Sequence, residues 1–221
     1  MAGRRGPRFP VLEPLILPHL EPAGDVGPHA RHDYDGIAFP ELDLAAGDLD
    51  GASFTECSFP GLTGESLSLR GSRFAETAIT AVNVPTVRGS RALLRDVEWR
   101  GSRVGALDFA DSGVRSTLFA ESKFGWAGFR AARLTRVIFR DCVFAELDFT
   151  GATLEGVSFE NCRTESLEVN ASSLSSVDLR GLTILGTVSD AKALRGATIS
   201  AAQAASLTRV FAQHLGIAVD D

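Results

Sequence analysis

The chain has little with which to run chemistry. Its four histidines, His19, His29, His32 and His214, all lie in the terminal segments, and its three cysteines, Cys57, Cys142 and Cys162, include no C-x-x-C pair. That spacing argues against a zinc site, and the odd count argues against a disulfide framework. No G-x-x-x-x-G-K-S/T, G-x-S-x-G, H-E-x-x-H or dinucleotide fingerprint occurs. No catalytic, metal-binding or cofactor-binding residue is therefore nominated, and the chain is expected not to be an enzyme.

Long apolar runs are missing as well. The stretch from Val11 to Leu20 is broken by Pro14 and Pro18 and carries Glu13, so it does not span a hydrocarbon core of about 30 Å. It also makes a poor signal-peptide core behind Arg4, Arg5 and Arg8, and a cytoplasmic location without membrane attachment is expected. Positive charge is in deficit: 22 Lys and Arg against 28 Asp and Glu give a net charge of -6. That balance disfavours direct binding to nucleic acid or anionic lipid and fits a basic protein partner better.

What is present is a period. Every fifth residue from Phe39 to Ile199 is apolar except Gly64, Gly89, Thr164 and Ser189, and every Phe except Phe9 and Phe211 falls on this register. Neither an α-helix nor a flat strand turns residues five apart to one side, because their side-chain periods are 3.6 and 2.0. A common interior requires a backbone that turns a corner every five residues. Two positions before each centre the residue is usually small, as at Ser72, Thr77, Ser102, Ser122, Cys142 and Cys162, which suits an interior too narrow for ligands. Two positions after it glycine recurs, at Gly51, Gly61, Gly71, Gly101, Gly151, Gly156, Gly181, Gly186 and Gly196, where a turn with positive φ is expected.

This pattern resembles the pentapeptide-repeat family, whose motif is commonly written A(D/N)LXX. The nearest local matches are Leu147-Asp148-Phe149-Thr150-Gly151, Ala152-Thr153-Leu154-Glu155-Gly156 and Val177-Asp178-Leu179-Arg180-Gly181. The resemblance implies an all-β solenoid, a right-handed quadrilateral β-helix with four pentapeptides, about 20 residues, per turn. Stepping by twenty from Phe39 through Phe59, Ile79, Trp99, Phe119, Phe139, Phe159 and Leu179 to Ile199 gives a column of large side chains, which agrees with that coil. About eight coils at a spacing near 4.8 Å make a rod roughly 39 Å long. Cys142 and Cys162 then sit one coil apart, within disulfide reach, although two small reduced core residues is the favoured reading.

Three regions follow: residues 1–36, a proline-rich capping segment and linker; residues 37–199, the β-helix; and residues 200–221, a C-terminal capping α-helix and tail. In the last, Ser200 and Gln203 form a capping box and Gly216 stops the helix. At the other end, Phe9 to Leu20 is expected to lie over the first coil and Asp25 to Asp35 to link it to the rod.

The resemblance also supplies a functional expectation. Quinolone-resistance members of the family imitate B-DNA, dimerise through their C-terminal ends and bind DNA gyrase. On that basis Leu207, Val210, Phe211 and Leu215 are a candidate homodimer interface. Candidate acidic interaction residues are Asp48, Asp50, Asp108, Asp111, Asp148 and Glu168 on one face, and Glu98, Glu121, Asp141 and Glu160 on another. Duplex DNA of this length carries about 23 charges, far more than this chain. The alternative is a protein-interaction scaffold with no topoisomerase role. Trp126, outward-facing at a turn position, is a candidate hot spot, with a ring laid flat over a neighbouring turn as the competing reading.

Overall fold

A computed structural model describes residues 9–24 and 27–219. The basic residues Arg4, Arg5 and Arg8, and Asp25 at the start of the expected linker, lie outside them.

The five-residue register becomes a parallel β-solenoid of about nine turns, one more than the sequence suggested. Through the body of the rod each strand pairs in parallel with the strand twenty residues on: Phe74 with Leu94, Ile79 with Trp99, Phe119 with Phe139 and Phe139 with Phe159. The longest strands, Arg73–Thr80, Leu93–Arg100, Gly113–Ala120, Arg133–Arg140 and Thr153–Glu160, each bend across one corner. A second sheet holds Val82–Arg88, Arg103–Asp108, Lys123–Gly128, Val143–Asp148 and Cys162–Glu168.

The corners differ in kind, and the difference matters for function. Along three of the four corner columns the residue two positions after the centre mostly takes the left-handed conformation, as at Asp96 (φ 55), Gly101 (φ 61) and Asp111 (φ 56), whereas Gly61, Gly181 and Gly186 depart from the expected positive φ. Glycine enters this region freely, and other residues do so at a cost. The fourth column, Thr86, Ala106, Trp126, Glu146 and Ser166, is not left-handed and stays within the strand ladder. A bulky indole is tolerated there because no left-handed turn is required.

Inside, the centres stack as the register demands. The ring centroids of Phe119 and Phe139 are 5.2 Å apart, those of Phe139 and Phe159 5.0 Å, and those of Phe129 and Phe149 5.6 Å, all nearly parallel. Phe119, Phe129, Phe139 and Phe149 are each at most 1% exposed, and burial of each stabilises the rod by about 1.5–3 kcal/mol. The four breaks in the pattern have local causes. Gly64 has φ 147, and a Cβ there would meet the Leu44 carbonyl oxygen at 1.7 Å. At Gly89 the Phe109 ring occupies the space, 2.2 Å from where a Cβ would stand. The Thr164 hydroxyl donates to the Ser166 carbonyl at 2.7 Å, and Ser189 Oγ accepts the Val169 N–H at 3.0 Å.

The small residues two positions before each centre carry hydrogen bonds as well as saving space. The Ser102 hydroxyl accepts the Val82 N–H at 3.1 Å and donates to the Arg100 carbonyl at 3.0 Å. Ser122 repeats both bonds one coil on, to the Ser102 N–H and the Ala120 carbonyl. Cys162 does the same with sulfur, accepting from the Cys142 N–H at 3.4 Å and donating to the Glu160 carbonyl at 3.3 Å. A corner that withdraws a backbone N–H from the strand ladder must return a partner to it, and this column does so. All three cysteines are buried free thiols; the neighbouring Cys162 sulfur and burial push the Cys142 thiol up.

The ends are closed differently. At the C-terminus Ser200 and Gln203 form the capping box, and Gln203 Nε2 donates to the carbonyls of Leu179 and Leu182 at 2.6 and 2.7 Å, fixing the helix to the last coil. The helix is divided at Leu207 into α1 (Ala201–Ser206) and α2 (Thr208–His214). At the N-terminus Glu21–Pro22 pairs with Ile37–Ala38 and continues the sheet by one strand. The segment before it departs from expectation. Residues 9–20 do not lie over the first coil; they run along the flank of the rod. Phe9 sits over the Arg180 guanidinium at 4.8 Å, the Val11 carbonyl accepts from Arg136 at 3.2 Å, and the Leu15 N–H donates to Glu98 at 3.1 Å. Twelve extended residues reach about 40 Å, and seven coil steps need about 34 Å, so the segment spans most of the rod.

Candidate interaction wall

The structure brings Trp126 onto the wall that carries Asp108 and Asp148. Asp108, Gly128 and Asp148 occupy consecutive steps of one column. Gly128 leaves a gap in that column, and the Trp126 indole fills it: a Cβ on Gly128 would lie 2.1 Å from Cη2 and 2.2 Å from Cζ2 of the ring. The Arg130 guanidinium covers the indole at 5.2 Å from its centroid and donates to Asp148. The indole is half-buried, lying over a neighbouring residue, with its outer surface on the wall. Gly128 and Arg130 were not singled out from the sequence; the signal was there, since glycine two residues after an outward Trp leaves room for the ring.

The aspartates of this wall are turn-builders before they are charges. Asp48 accepts the Asp50 N–H, Asp108 the Ala110 N–H at 3.0 Å, and Asp148 the Thr150 N–H at 2.8 Å, each closing an i to i+2 turn. Asp50 accepts from the Ser68 hydroxyl at 2.5 Å and pairs with Arg70 at 3.8 Å, and Glu168 accepts from Ser166 at 3.0 Å. Asp148 is only 1% exposed. Burial acts to raise its pKa, but the bonds from Thr150 and Arg130 outweigh that and hold it below the usual carboxylate value. Among the described residues, Asp108 and Asp111 take part in no ion pair.

The second acidic row is largely neutralised. Glu98 pairs with Arg100 at 2.8 Å, Glu160 with Arg140 at 2.5 Å, and Glu121 with Arg100 at 3.8 Å, while Asp141 accepts from Asn161 at 2.6 Å. Residues 10–14 also lie beside Glu98 and Glu160. Beneath that segment Leu12 contacts an apolar cluster on the outside of the rod, made by Leu118, Ala120 and Ile138. Sequence reasoning counted the charges of this face and missed its apolar residues, although Leu118 and Ile138 stand twenty apart just before a centre.

At the C-terminal end the four interface candidates separate. Leu207 is 5% exposed and belongs to the core, Val210 and Phe211 pack against that core, and Leu215 is 70% exposed. Leu207 therefore plugs the rod, leaving Leu215 as the open apolar residue of the set. Among the described residues no cluster of His, Cys, Asp or Glu could hold a metal ion, and no helix is long and apolar enough to cross a membrane.

A solenoid with a filled interior and side chains arrayed on flat walls defines the class, and comparison with known proteins agrees. Residues 122–163 match the family model of pentapeptide repeats, in eight copies. Residues 122–163 are thus a run of pentapeptide repeats, and the same five-residue register continues on both sides of the matched stretch within one parallel β-solenoid. Two solved structures of QnrB1, a plasmid-mediated fluoroquinolone resistance protein, align with it. One shows 17% identity and a TM-score of 0.45 over 88% of this chain and 100% of the other. The second shows 16% identity and a TM-score of 0.40 over 89% and 96%. Comparison with curated proteins gives no match.

Proposed function

We propose that the chain is a non-enzymatic protein-binding rod that meets its partner with the wall around Trp126. The observation that carries this reading is the assembly of Trp126, Arg130 and the Asp108–Gly128–Asp148 column into one ordered surface. A half-buried indole pinned beneath an arginine and beside carboxylates is the composition found at binding hot spots. Within the interior, the gap bounded by Leu49, Leu67 and Trp99 is about 10 Å³, at the lower limit for one water, too small for a ligand.

A second reading, imitation of DNA toward DNA gyrase, has Asp108 and Asp111 in its favour, since among the described residues they take part in no ion pair. One experiment separates the two. The protein is titrated into a gyrase supercoiling assay with and without a fluoroquinolone. Inhibition or drug rescue that is lost on Asp108→Lys with Asp111→Lys establishes the mimic. No effect up to about tens of micromolar removes it, and the binding-rod reading then requires that Trp126→Ala weakens capture of the partner. Asp148 is unsuitable for charge reversal because it is buried and bound to Arg130.

A further inference from the structure

Residues 9–20 make no strand ladder with the rod, yet they cover a face that needs covering. Leu118 and Ile138 are 6% and 3% exposed with Ala120 at 0%, although all three lie on the outer face of the wall. Bare, they would form an apolar stripe across consecutive coils. The cover fits loosely. Crevices of about 530 and 220 Å³ remain between the segment and the wall, where a well-packed interface would leave none. Ser158, one step beyond Ile138 in the same column, is 5% exposed and its hydroxyl has no hydrogen-bond partner among the described residues. The seat is also shallow on its outer side, with Val11 79% and Ile16 85% exposed.

We propose that this wall is a docking groove for an extended, proline-containing apolar segment, and that residues 9–20 of one copy of the chain seat in the groove of a second copy. The complementary segment is the one already occupying the groove, so a second copy supplies the identical contacts: Leu12 against Leu118 and Ile138, the Leu15 N–H on Glu98, and Arg136 on the Val11 carbonyl. Exchange of an identical element is a low-cost route to a dimer. The balance between self-seating and exchange is then set by chain concentration against the effective concentration of the tethered segment, on the order of millimolar for a short link. This proposal is independent of which partner the Trp126 wall binds.

The test uses full-length chains trapped by disulfide formation. A chain carrying Leu12→Cys is mixed with a differently tagged chain carrying Ile138→Cys, and diamide accepts the two electrons and two protons released as the sulfur–sulfur bond forms. The control pairs Leu12→Cys with Lys123→Cys, an exposed position on another wall. The three native thiols are buried and common to every sample, and thermal melts confirm that each variant folds. The expected result is a mixed covalent dimer forming at least about tenfold faster with Ile138→Cys than with the control, given the millimolar scale above. Formation no faster than the control overturns the proposal. A chain carrying both Leu12→Cys and Ile138→Cys reports the seat itself by closing within one molecule.

Discussion

Gly128→Ala adds a single methyl group, and the wall geometry says where it goes. The new Cβ would stand 2.1 Å from Cη2, 2.2 Å from Cζ2 and 2.8 Å from Cζ3 of Trp126. All three nearest atoms belong to one side chain, and Gly128 is not in the left-handed region, so the backbone accepts alanine and the indole must leave. The cost follows from what the ring loses. Half of an indole re-exposed is about 75–125 Å² of surface, worth roughly 2–3 kcal/mol at about 25 cal/mol per Å². Loss of the Arg130 contact adds about 0.5–1 kcal/mol. For a chain of this length about 3 kcal/mol lowers Tm by roughly 6–12 °C. The assay is iodide quenching of tryptophan emission alongside a thermal melt. Trp99 is fully buried and silent to iodide, so new quenching reports Trp126. Partner binding should fall in this variant although Trp126 itself is intact. Unchanged quenching together with an unchanged melt would refute the seating of the indole on Gly128.

Two further outcomes are expected. Arg130→Ala leaves Asp148 buried with only the Thr150 bonds and should cost about 2 kcal/mol near neutral pH; because the folded pKa of Asp148 is depressed, its stabilising contribution is present above the unfolded value of about 3.9 and is lost as pH falls through the folded pKa. Denaturant melts of both proteins at pH 7 and at decreasing acid pH should therefore converge. Ser122→Ala strips the Ser102 N–H of its acceptor at the rod's centre and should cost about 1–3 kcal/mol, whereas Ser122→Cys should retain most of the stability because Cys162 serves the Cys142 N–H with sulfur; urea midpoints distinguish the two substitutions.

What the sequence revealed and what it concealed divide along a physical line. The interior was legible because each coil repeats the same contact: Phe119, Phe139 and Phe159 announce their stack by position alone, and Ser200 with Gln203 announces the cap. Contacts made once carry no period. Nothing in Phe9 to Leu20 distinguishes a segment over the first coil from one along the flank, since Leu12 reaches Leu118 and Ile138 across more than a hundred residues and only the fold brings them together. The corners show the same division. Glycine marked left-handed turns at Gly51, Gly71, Gly101, Gly151, Gly156 and Gly196 but not at Gly61, Gly181 and Gly186, and the column containing Trp126 turns without that conformation, which permits an aromatic side chain at a corner. The acidic rows carry two explanations at once: aspartate before a centre closes its own turn, so Asp48, Asp108 and Asp148 serve the backbone whatever partner they meet. Function is then best sought where a residue exceeds what the repeat requires of it. Trp126 does so, because the corner at that position is equally served by Thr86, Ala106, Glu146 or Ser166 in the neighbouring coils.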